Sequence, residues 1–344
     1  MLTARSVQAL EAYTPGEQPK AKNVVKLNTN ENPYPPSPRC AAVLKSFDPD
    51  LLRRYPDPDF VELRKALASL HGTEIRNVFV GNGSDEVLSV AARAFVEDDE
   101  AIGSLHPSYS LYKTLAAIRN VPWVGIPASR AARPDSMTSE HPNVSLFLWT
   151  NPNAPTGVFA PKRKISAFAR KFPGVVVVDE AYADFAKENC MSLATARTNR
   201  NVIVMRTFSK SYSLAGLRVG YCVGPAELIG AMYKVKDSYN VDAVAQAVAL
   251  AAVKDRRWML RNVDKVVKTR TWFVGELEKR GWDVLPSETN FVFARPPSGD
   301  AAGIFEALRR KNIFVRYFPG PETGDRIRIT VGTDSQMKTL LKNI

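Results

Sequence analysis

Short apolar segments alternate with helix-patterned segments from about residue 58 to residue 245, and this alternation restricts the chain to few folds. The apolar segments are nearly continuous, as expected of strands that are covered by helices on both faces. The pattern therefore predicts an α/β fold with a largely parallel sheet. The expected strands are 78–80, 100–103, 144–149, 175–178, 202–205 and 219–223.

Capping residues and composition outline the other elements. Asp57 and Pro58 predict the N-cap and first position of a helix that ends at Gly72. The segment 28–38 is rich in Pro and Asn and is predicted to be an extended arm. The C-terminal third predicts a separate α+β unit with strands 290–294, 313–318 and 326–331 and helices 301–311 and 335–341. We expect an arm that contributes to the small domain in 1–35, a large domain in 36–250 and a small domain in 251–344.

Charge and cysteine content limit the classes of partner. The 344 residues include 47 basic and 35 acidic side chains, giving a net charge of +12. The basic residues are dispersed, so they indicate small anionic ligands or a generic basic surface rather than nucleic acid. Cys40, Cys190 and Cys222 form no CxxC pair, which favours a reducing compartment and predicts no metal site. The N-terminus lacks a secretory apolar core, and the apolar segment 241–253 predicts a buried helix too short for a bilayer. A cytoplasmic protein without membrane contact is expected.

One lysine, one aspartate and one arginine together indicate a cofactor. Lys210 follows the expected strand 202–205, and a reactive lysine has to be neutral, which a dry pocket or nearby cations favour. Asp179 follows four valines at the carboxyl edge of a buried strand, where α/β proteins bind ligands; the alternative role is a helix N-cap. Arg218 comes eight residues after Lys210. An amine for an aldehyde, a carboxylate for a ring nitrogen and an arginine for a phosphate indicate pyridoxal phosphate (PLP).

The segment 81–86 is a second candidate phosphate site. Its sequence, Gly-Asn-Gly-Ser-Asp-Glu, joins an expected strand to an apolar-periodic helix. Glycines allow the backbone to approach a ligand, and free amides at a helix start bind anions. A dinucleotide fingerprint is not favoured because Glu86 occupies the position of its third glycine.

Aromatic and arginine side chains are further candidates. Tyr109 follows an expected strand and can stack on a flat cofactor, or it is a partly buried loop tyrosine. Tyr182 lies three residues after the aspartate and can donate to a phenolic oxygen. Arg316 and Arg328 lie on neighbouring C-terminal strands and suit forked recognition of a carboxylate or phosphate. Arg326 shares the face of Arg328, so periodicity does not choose between them.

The order of six motifs resembles fold-type I PLP-dependent aminotransferases, and most of all the histidinol-phosphate aminotransferase family. The motifs are GSDE, PSYSLY, NPNAPTG, VVVVDEAYADF, TFSKSYSLAGLRVGY and RIRITVGT. With the segments 28–33 and 54–56, which point to the subfamily, the resemblance extends from about residue 28 to residue 332. It implies a mostly parallel seven-stranded sheet with helices on both faces, a smaller α+β domain, PLP bound by the large domain, and a homodimer.

The resemblance also implies a role for each candidate residue. Lys210 would hold the cofactor and shuttle the Cα proton, Asp179 would pair with the pyridine nitrogen, and Tyr182 would contact the phenolic oxygen. The other cofactor-binding residues would be Ser84, Asp85, Tyr109, Asn153, Thr207, Ser209 and Arg218, with Tyr55 reaching the phosphate in the neighbouring subunit. The substrate would be bound by Tyr13, Asn30, Arg316 and Arg328.

One position departs from the family pattern. Ala154 stands directly before Pro-Thr-Gly, where the family commonly has an asparagine that donates to the phenolic oxygen. Asn153, a water molecule or Tyr182 alone would then serve that oxygen.

The implied activity is amino transfer between L-histidinol phosphate and 2-oxoglutarate, which yields imidazole acetol phosphate and L-glutamate in histidine biosynthesis. An aromatic amino-acid aminotransferase and a threonine-phosphate decarboxylase are alternatives within the superfamily. A PLP-binding regulator without turnover is an alternative from another class.

Overall fold

The computed structural model describes residues 3, 5–8, 16–19, 23–127, 139–196 and 198–344. The strands of these residues are β1 (Val25–Lys26), β2 (Val78–Gly81), β3 (Ala101–His106), β4 (Trp123–Pro127), β5 (Val144–Thr150), β6 (Val175–Asp179), β7 (Val202–Thr207), β8 (Gly220–Val223), β9 (Asp283–Val284), β10 (Phe291–Arg295), β11 (Ile313–Phe314), β12 (Arg316–Tyr317) and β13 (Ile327–Thr330). The α-helices are α1 (Arg5–Gln8), α2 (Pro38–Ser46), α3 (Val61–His71), α4 (Gly83–Phe95), α5 (Leu111–Arg119), α6 (Lys162–Lys171), α7 (Met191–Thr195), α8 (Ala226–Val235), α9 (Ala243–Lys254), α10 (Arg256–Glu278), α11 (Ala301–Arg310) and α12 (Asp334–Leu341). Short 3-10 helices occur at Pro49–Arg53, Ile75–Asn77, Ala183–Phe185 and Ala215–Leu217.

A seven-stranded sheet forms the large unit, which confirms the predicted architecture. Its strand order is β2-β8-β7-β6-β5-β3-β4. Only β8 runs antiparallel to its neighbours, and the other pairings are parallel. All six predicted strands of this unit form. The edge strand β4 was not predicted because its five residues include Gly125 and Pro127, which disguise a strand pattern.

Alternate residues of the central strands pack into different cores on the two faces of the sheet. Val176 and Val178 belong to the core that contains Phe168 of α6. Val177 belongs to the core that contains Leu88 of α4. Burial of a valine side chain contributes about 1.5–3 kcal/mol to folding stability. Apolar residues on both faces therefore stabilise these strands in the middle of the sheet, between the two layers of helices.

The small unit combines the N-terminal arm with the C-terminal third of the chain. An antiparallel sheet of order β12-β13-β10-β9 lies beside a parallel pair, in which Val25 of β1 is opposite Ile313 of β11. The predicted strand 313–318 is divided because β11 pairs with β1 and β12 pairs with β13. Since α10 contributes Val263 to a large-unit core and Phe273 to the small-unit core, the boundary at 250/251 stays a proposal, as does the one at 35/36.

Local capping corrects one prediction. The helix expected from Pro58 begins at Val61 instead. The carboxylate of Asp57 accepts hydrogen bonds from the backbone N–H groups of Asp59 (2.9 Å) and Val61 (2.8 Å), so it caps a turn before the helix. The helix ends as predicted at Gly72, whose φ is 62°.

The apolar segment 241–253 forms α9, with the Asp242 side chain as its N-cap. None of the helices in the described part of the chain is both long and apolar enough to cross a membrane.

Candidate active site

A cavity of about 690 Å³ lies at the carboxyl edge of the large sheet and is closed by residues of the small unit. In the sheet register Thr150 is beside Asp179, so neighbouring parallel strands end together at this edge. The cavity brings together candidates that are far apart in the chain. They are Asn30, Ser84, Asp85, Tyr109, Asp179, Tyr182, Thr207, Ser209, Lys210, Arg218, Arg316 and Arg328.

Asp179 is a buried carboxylate in the cavity wall, only 4% exposed. Its Oδ2 accepts from the Tyr112 hydroxyl at 2.8 Å and its Oδ1 from the Ala181 N–H at 3.1 Å. Burial raises the pKa of Asp179 to about 6. No lysine or arginine of the described residues forms a salt bridge with it, and a buried anion needs a partner. A protonated ring nitrogen in the cavity fits that requirement.

Lys210 lies just beyond the end of β7, with its Nζ in the same cavity. Nζ donates to the carbonyl oxygen of Thr29 at 3.1 Å, and it lies 5.9 Å from the centre of the Tyr182 ring. Burial, followed by the positive charge of Arg328, lowers the pKa of Lys210 to about 8. A larger neutral fraction near neutral pH makes this amine a better nucleophile and base.

The segment after β2 and the residues after β7 form an anion-binding corner. Nη1 of Arg218 donates to Ser209 Oγ at 3.2 Å, and Nη2 lies 3.4 Å from Asp85 Oδ2. A Cβ on Gly83 would lie 2.5 Å from Nη2 of Arg218, and one on Gly220 would lie 2.5 Å from the backbone nitrogen of Ser84. Only glycine allows this close approach at the start of α4, where free N–H groups attract a phosphate.

Two hydroxyls complete this corner. Thr207 Oγ1 donates to Ser209 Oγ at 3.0 Å and accepts from the Ser209 N–H at 3.1 Å. Tyr109 donates to Asp85 Oδ1 at 3.2 Å, and its ring lies edge-on to that of Tyr112 with 5.7 Å between centroids. Hydroxyls, an arginine and a helix start suit the phosphate of PLP, and Asp179 suits its ring.

The small unit contributes a second cationic group. Arg316 of β12 and Arg328 of β13 are directly opposite each other, and both guanidinium groups lie over the Phe318 ring at 5.3 and 5.1 Å. Arg328 also donates to the Asn28 carbonyl at 3.0 Å. Arg326, the alternative left open by periodicity, instead forms a 2.7 Å salt bridge with Asp283 outside the cavity lining.

Two predicted site residues of the described part of the chain, Asn153 and Tyr55, do not line the cavity. The geometry does not support the cofactor contact suggested for Asn153. Its side-chain amide forms hydrogen bonds with Ser108, Pro107 and Thr156 instead. Tyr55 is 81% exposed and stacks on Tyr239 with 4.4 Å between ring centroids. Tyr13 lies outside the described residues.

Sequence reasoning missed several residues of the site. Tyr112, which holds Asp179, belongs to the same Pro-Ser-Tyr-Ser-Leu-Tyr motif as Tyr109, so a signal was present. Glu31 lines the cavity and pairs with Lys26 at 2.7 Å, and it lies in the motif of the arm. Nothing in the sequence indicated that Glu322 would reach the cavity, because its loop has no regular pattern.

Comparison with known proteins agrees with this geometry. The model of the family "Aminotransferase class I and II" matches residues 22–344. Histidinol-phosphate aminotransferase 1 of Nostoc sp. is 43% identical over 340 residues, which are 98% of this chain and 95% of the relative. The histidinol-phosphate aminotransferase of Geobacter sp. is 42% identical over 338 residues, covering 98% of this chain and 96% of the relative. The chain belongs to the histidinol-phosphate aminotransferase family.

A solved structure of this family is also similar. The histidinol-phosphate aminotransferase from Sinorhizobium meliloti, in complex with pyridoxal-5'-phosphate, superposes with a TM-score of 0.90 at 26% identity. The match covers 99% of this chain and 96% of the other. Within the histidinol-phosphate aminotransferase family, the chain is thus a fold-type I, PLP-dependent aminotransferase.

Proposed function

We propose that this aminotransferase moves an amino group between L-histidinol phosphate and 2-oxoglutarate, giving imidazole acetol phosphate and L-glutamate in histidine biosynthesis. The observation that carries the proposal is the presence of two separate cationic groups in one cavity. The corner around Arg218 suits the cofactor phosphate, which leaves Arg316 and Arg328 for an anionic substrate. The 42–43% identity to histidinol-phosphate aminotransferases supports a phosphate-ended donor.

The reactive residues are arranged for proton transfer. PLP, when bound, supplies an aldehyde carbon for the amine and an electron-withdrawing ring that stabilises negative charge at Cα. Lys210 would hold the cofactor, and its neutral amine would take the proton from the Cα of the donor. The lowered pKa of Lys210, about 8, supports this role as a base.

Asp179 presents a carboxylate that is fixed by two hydrogen bonds, and it would keep the ring nitrogen protonated. Burial and the charge of Asp179 raise the pKa of Tyr112, so this tyrosine stays a donor and holds the carboxylate in place. Tyr182 would contact the phenolic oxygen, and Tyr109 would stack on the ring; both line the cavity.

The anion sites have distinct tasks. Ser84, Thr207, Ser209 and Arg218 bind the cofactor phosphate, while Asp85 orients Arg218 and Tyr109 through the contacts described above. Arg316 and Arg328 bind the phosphate or carboxylate of the substrate. Tyr13 is proposed to bind the same anionic end of the substrate, and Asn30 belongs to the arm that covers the site.

We propose a homodimer in which Tyr55 reaches the cofactor phosphate of the neighbouring subunit. Tyr55, which stacks on Tyr239, follows the exposed Leu51 and Leu52 closely in sequence, and exposed apolar clusters are typical of protein interfaces. A cytoplasmic location is proposed on the three free cysteines, Cys40, Cys190 and Cys222.

A half-reaction titration tests the proposed substrate. The PLP-loaded protein is mixed with L-histidinol phosphate in the absence of a keto acid, and cofactor absorbance is followed. Conversion of one equivalent of cofactor per site at low substrate supports the proposal. The Arg328→Gln variant should need about tenfold or more donor, because a charge-assisted hydrogen bond is lost. Arg326→Gln, on the same strand but paired with Asp283, is the matched control.

Other donors give the contrary outcomes. Conversion by aromatic amino acids but not by L-histidinol phosphate would replace the proposed substrate. Release of carbon dioxide from threonine phosphate would indicate decarboxylation. Binding of PLP without conversion by any amine would indicate a regulator.

A further inference from the structure

A buried chain of hydrogen bonds connects β13 to the cavity through the arm. Thr330 Oγ1 donates to Asn30 Oδ1 at 3.0 Å, and Asn30 Nδ2 donates to the Tyr182 hydroxyl at 2.9 Å. The three residues are 3%, 2% and 8% exposed, so water competes little for these bonds. The chain joins residues that are 300 positions apart.

Thr330 determines which end of the Asn30 amide faces the tyrosine. Its Oγ1 already accepts from the Asn30 backbone N–H at 3.0 Å, and a hydroxyl has one proton to donate. That proton goes to Oδ1, so the NH₂ group of Asn30 points to Tyr182. With the amide reversed, Oγ1 would have no acceptor for its proton among the described residues, which is unfavourable in a buried site.

This orientation leaves the Tyr182 proton available. The hydroxyl oxygen accepts from Asn30, and no described residue accepts the hydroxyl proton in return. Tyr182 lines the cavity, so its O–H bond can point there. Ala154 presents only a methyl group at the cavity, and the Asn153 amide is engaged elsewhere, so neither supplies a donor.

The arm is held in register for this task. Asn30 adopts a left-handed backbone with φ of 56°, which asparagine tolerates better than most residues. Its carbonyl accepts from Asn290 Nδ2 at 2.9 Å, and the Thr330 N–H donates to the Leu27 carbonyl at 2.9 Å. The backbone around both ends of the hydrogen-bond chain is therefore fixed.

We propose that Thr330 and Asn30 are positioning residues that direct the Tyr182 O–H bond toward the phenolic oxygen of bound PLP. Asn30 thus acts on the cofactor through Tyr182, in addition to the substrate contact expected for the arm. The inference rests on the cofactor placement proposed above but not on the identity of the amine donor.

The pH titration of bound-cofactor absorbance tests the proposal without any substrate. A donor to the phenolic oxygen disperses its negative charge, so loss of the donor makes the oxygen more basic and raises the pH of the spectral transition. Tyr182→Phe sets the size of the full effect. Thr330→Val should move the transition upward by about one pH unit and weaken PLP binding about tenfold. Thr330→Ser, which keeps the hydroxyl, should titrate like the wild type.

Two further variants make the test specific. Asn30→Asp replaces the NH₂ donor by an acceptor, so Tyr182 should donate to residue 30 and the transition should match that of Tyr182→Phe. Thr339→Val on the exposed face of α12 removes a threonine hydroxyl that bonds only to Ser335, and it should change nothing. Thermal unfolding identifies any variant that loses its fold. If Thr330→Val does not fold, the titrations of Thr330→Ser and Asn30→Asp still test the proposal.

Clear results would overturn the proposal. A folded Thr330→Val protein that titrates like the wild type would do so, as would a further shift when Thr330→Val is added to Tyr182→Phe. A wild-type protein whose absorbance shows no bond between PLP and Lys210 would overturn the cofactor placement and this inference with it. Failure of L-histidinol phosphate as donor would affect only the proposed substrate.

Discussion

Nε2 of His106 lies 2.6 Å from Oε2 of Glu322, and this contact joins the end of β3 to a small-unit loop. Both side chains line the cavity and are about half exposed, so the pair lies at its solvent-facing rim. An exposed pair contributes less than about 1 kcal/mol to folding, but it connects the two units across the entrance.

Glu322→Gln should therefore change the free energy of unfolding by less than about 1 kcal/mol and accelerate substrate entry and release. Stopped-flow measurement of donor association and dissociation checks this expectation. Glu62→Gln breaks a similar exposed pair with Lys65 on α3 and serves as the control. Equal rate constants in the two variants would contradict a role for the rim contact.

Replacement of Lys210 by alanine should lower the rate of amino transfer by about 10⁴-fold or more, because both the cofactor attachment and the base are lost. Lys210→Arg should also be inactive, since arginine does not deprotonate. Circular dichroism should show an unchanged fold. Lys279→Ala removes a lysine that is 74% exposed and should keep normal activity; near-normal turnover of Lys210→Ala would refute the assigned role.

Asp179→Asn should stabilise the cofactor-free protein while lowering activity. The pKa of Asp179 rises from 3.8 to about 6 on folding, mainly through burial, so between these values the folded state binds more protons than the unfolded state. Stability must then fall as pH rises from about 4 to about 6, and the ionised carboxylate costs about 3 kcal/mol above that range.

Asparagine removes this cost, so denaturant unfolding at pH 7 should show a gain of up to about 3 kcal/mol and a flatter pH dependence. Amino transfer should decrease about 10- to 100-fold, since the ring nitrogen loses an ionised partner. A variant with wild-type stability at pH 7 would contradict the predicted burial cost.

Ala154→Asn should give the cofactor a second hydrogen-bond donor. Ala154 lines the cavity, and a hydrogen bond to a charged oxygen contributes about 1.5–3 kcal/mol. PLP should therefore bind the variant at least about tenfold more tightly than the wild type, as measured by equilibrium dialysis. Ala154→Leu adds similar volume without a donor, and equal affinities of the two variants would show that the donor is not used.

Leu52→Glu should weaken self-association of the chain. Leu52 is 61% exposed and lies three residues before Tyr55, and a charge in an apolar interface is poorly solvated. Sedimentation velocity over a range of concentrations should show dimers for the wild type and a larger monomer fraction for the variant. Ile118→Glu, at a 58% exposed position on α5, is the control. Tyr55→Phe should leave association intact and weaken PLP binding.

The sheet could be predicted because most of its strands are recognisable from their own apolar sequence. Four consecutive valines make β6 apolar on both faces, and such a strand is stable only in the middle of an α/β sheet. The edge strand β4 carries Gly125 and Pro127 and shows no such pattern. Asp57 shows a similar limit of sequence-based prediction. An aspartate caps a turn or a helix equally well, and the conformation of the following backbone determines which of the two it caps.

The site was predictable where chemistry lies at the end of a strand, as for Asp179 and Lys210. It was not predictable where a long-range contact sets the direction of a side chain. The amide of Asn153 donates to Pro107 of another loop as well as to Thr156, and Asn30 bonds to a threonine 300 residues away. Such contacts depend on which distant segments the tertiary fold brings together, which no local pattern encodes.

The pairing of β1 with β11 has a consequence for how the enzyme is made. Val25 is synthesised long before Ile313, its partner in the small unit. Closing a loop of that length is entropically costly, so the arm has no stable place until the C-terminal strands have left the ribosome. Lys210 therefore emerges on a nascent chain whose cavity is still open on one side. Premature termination near residue 300 would leave Lys210 without the burial and the Arg328 charge that lower its pKa, so the amine becomes reactive only once the small unit is complete.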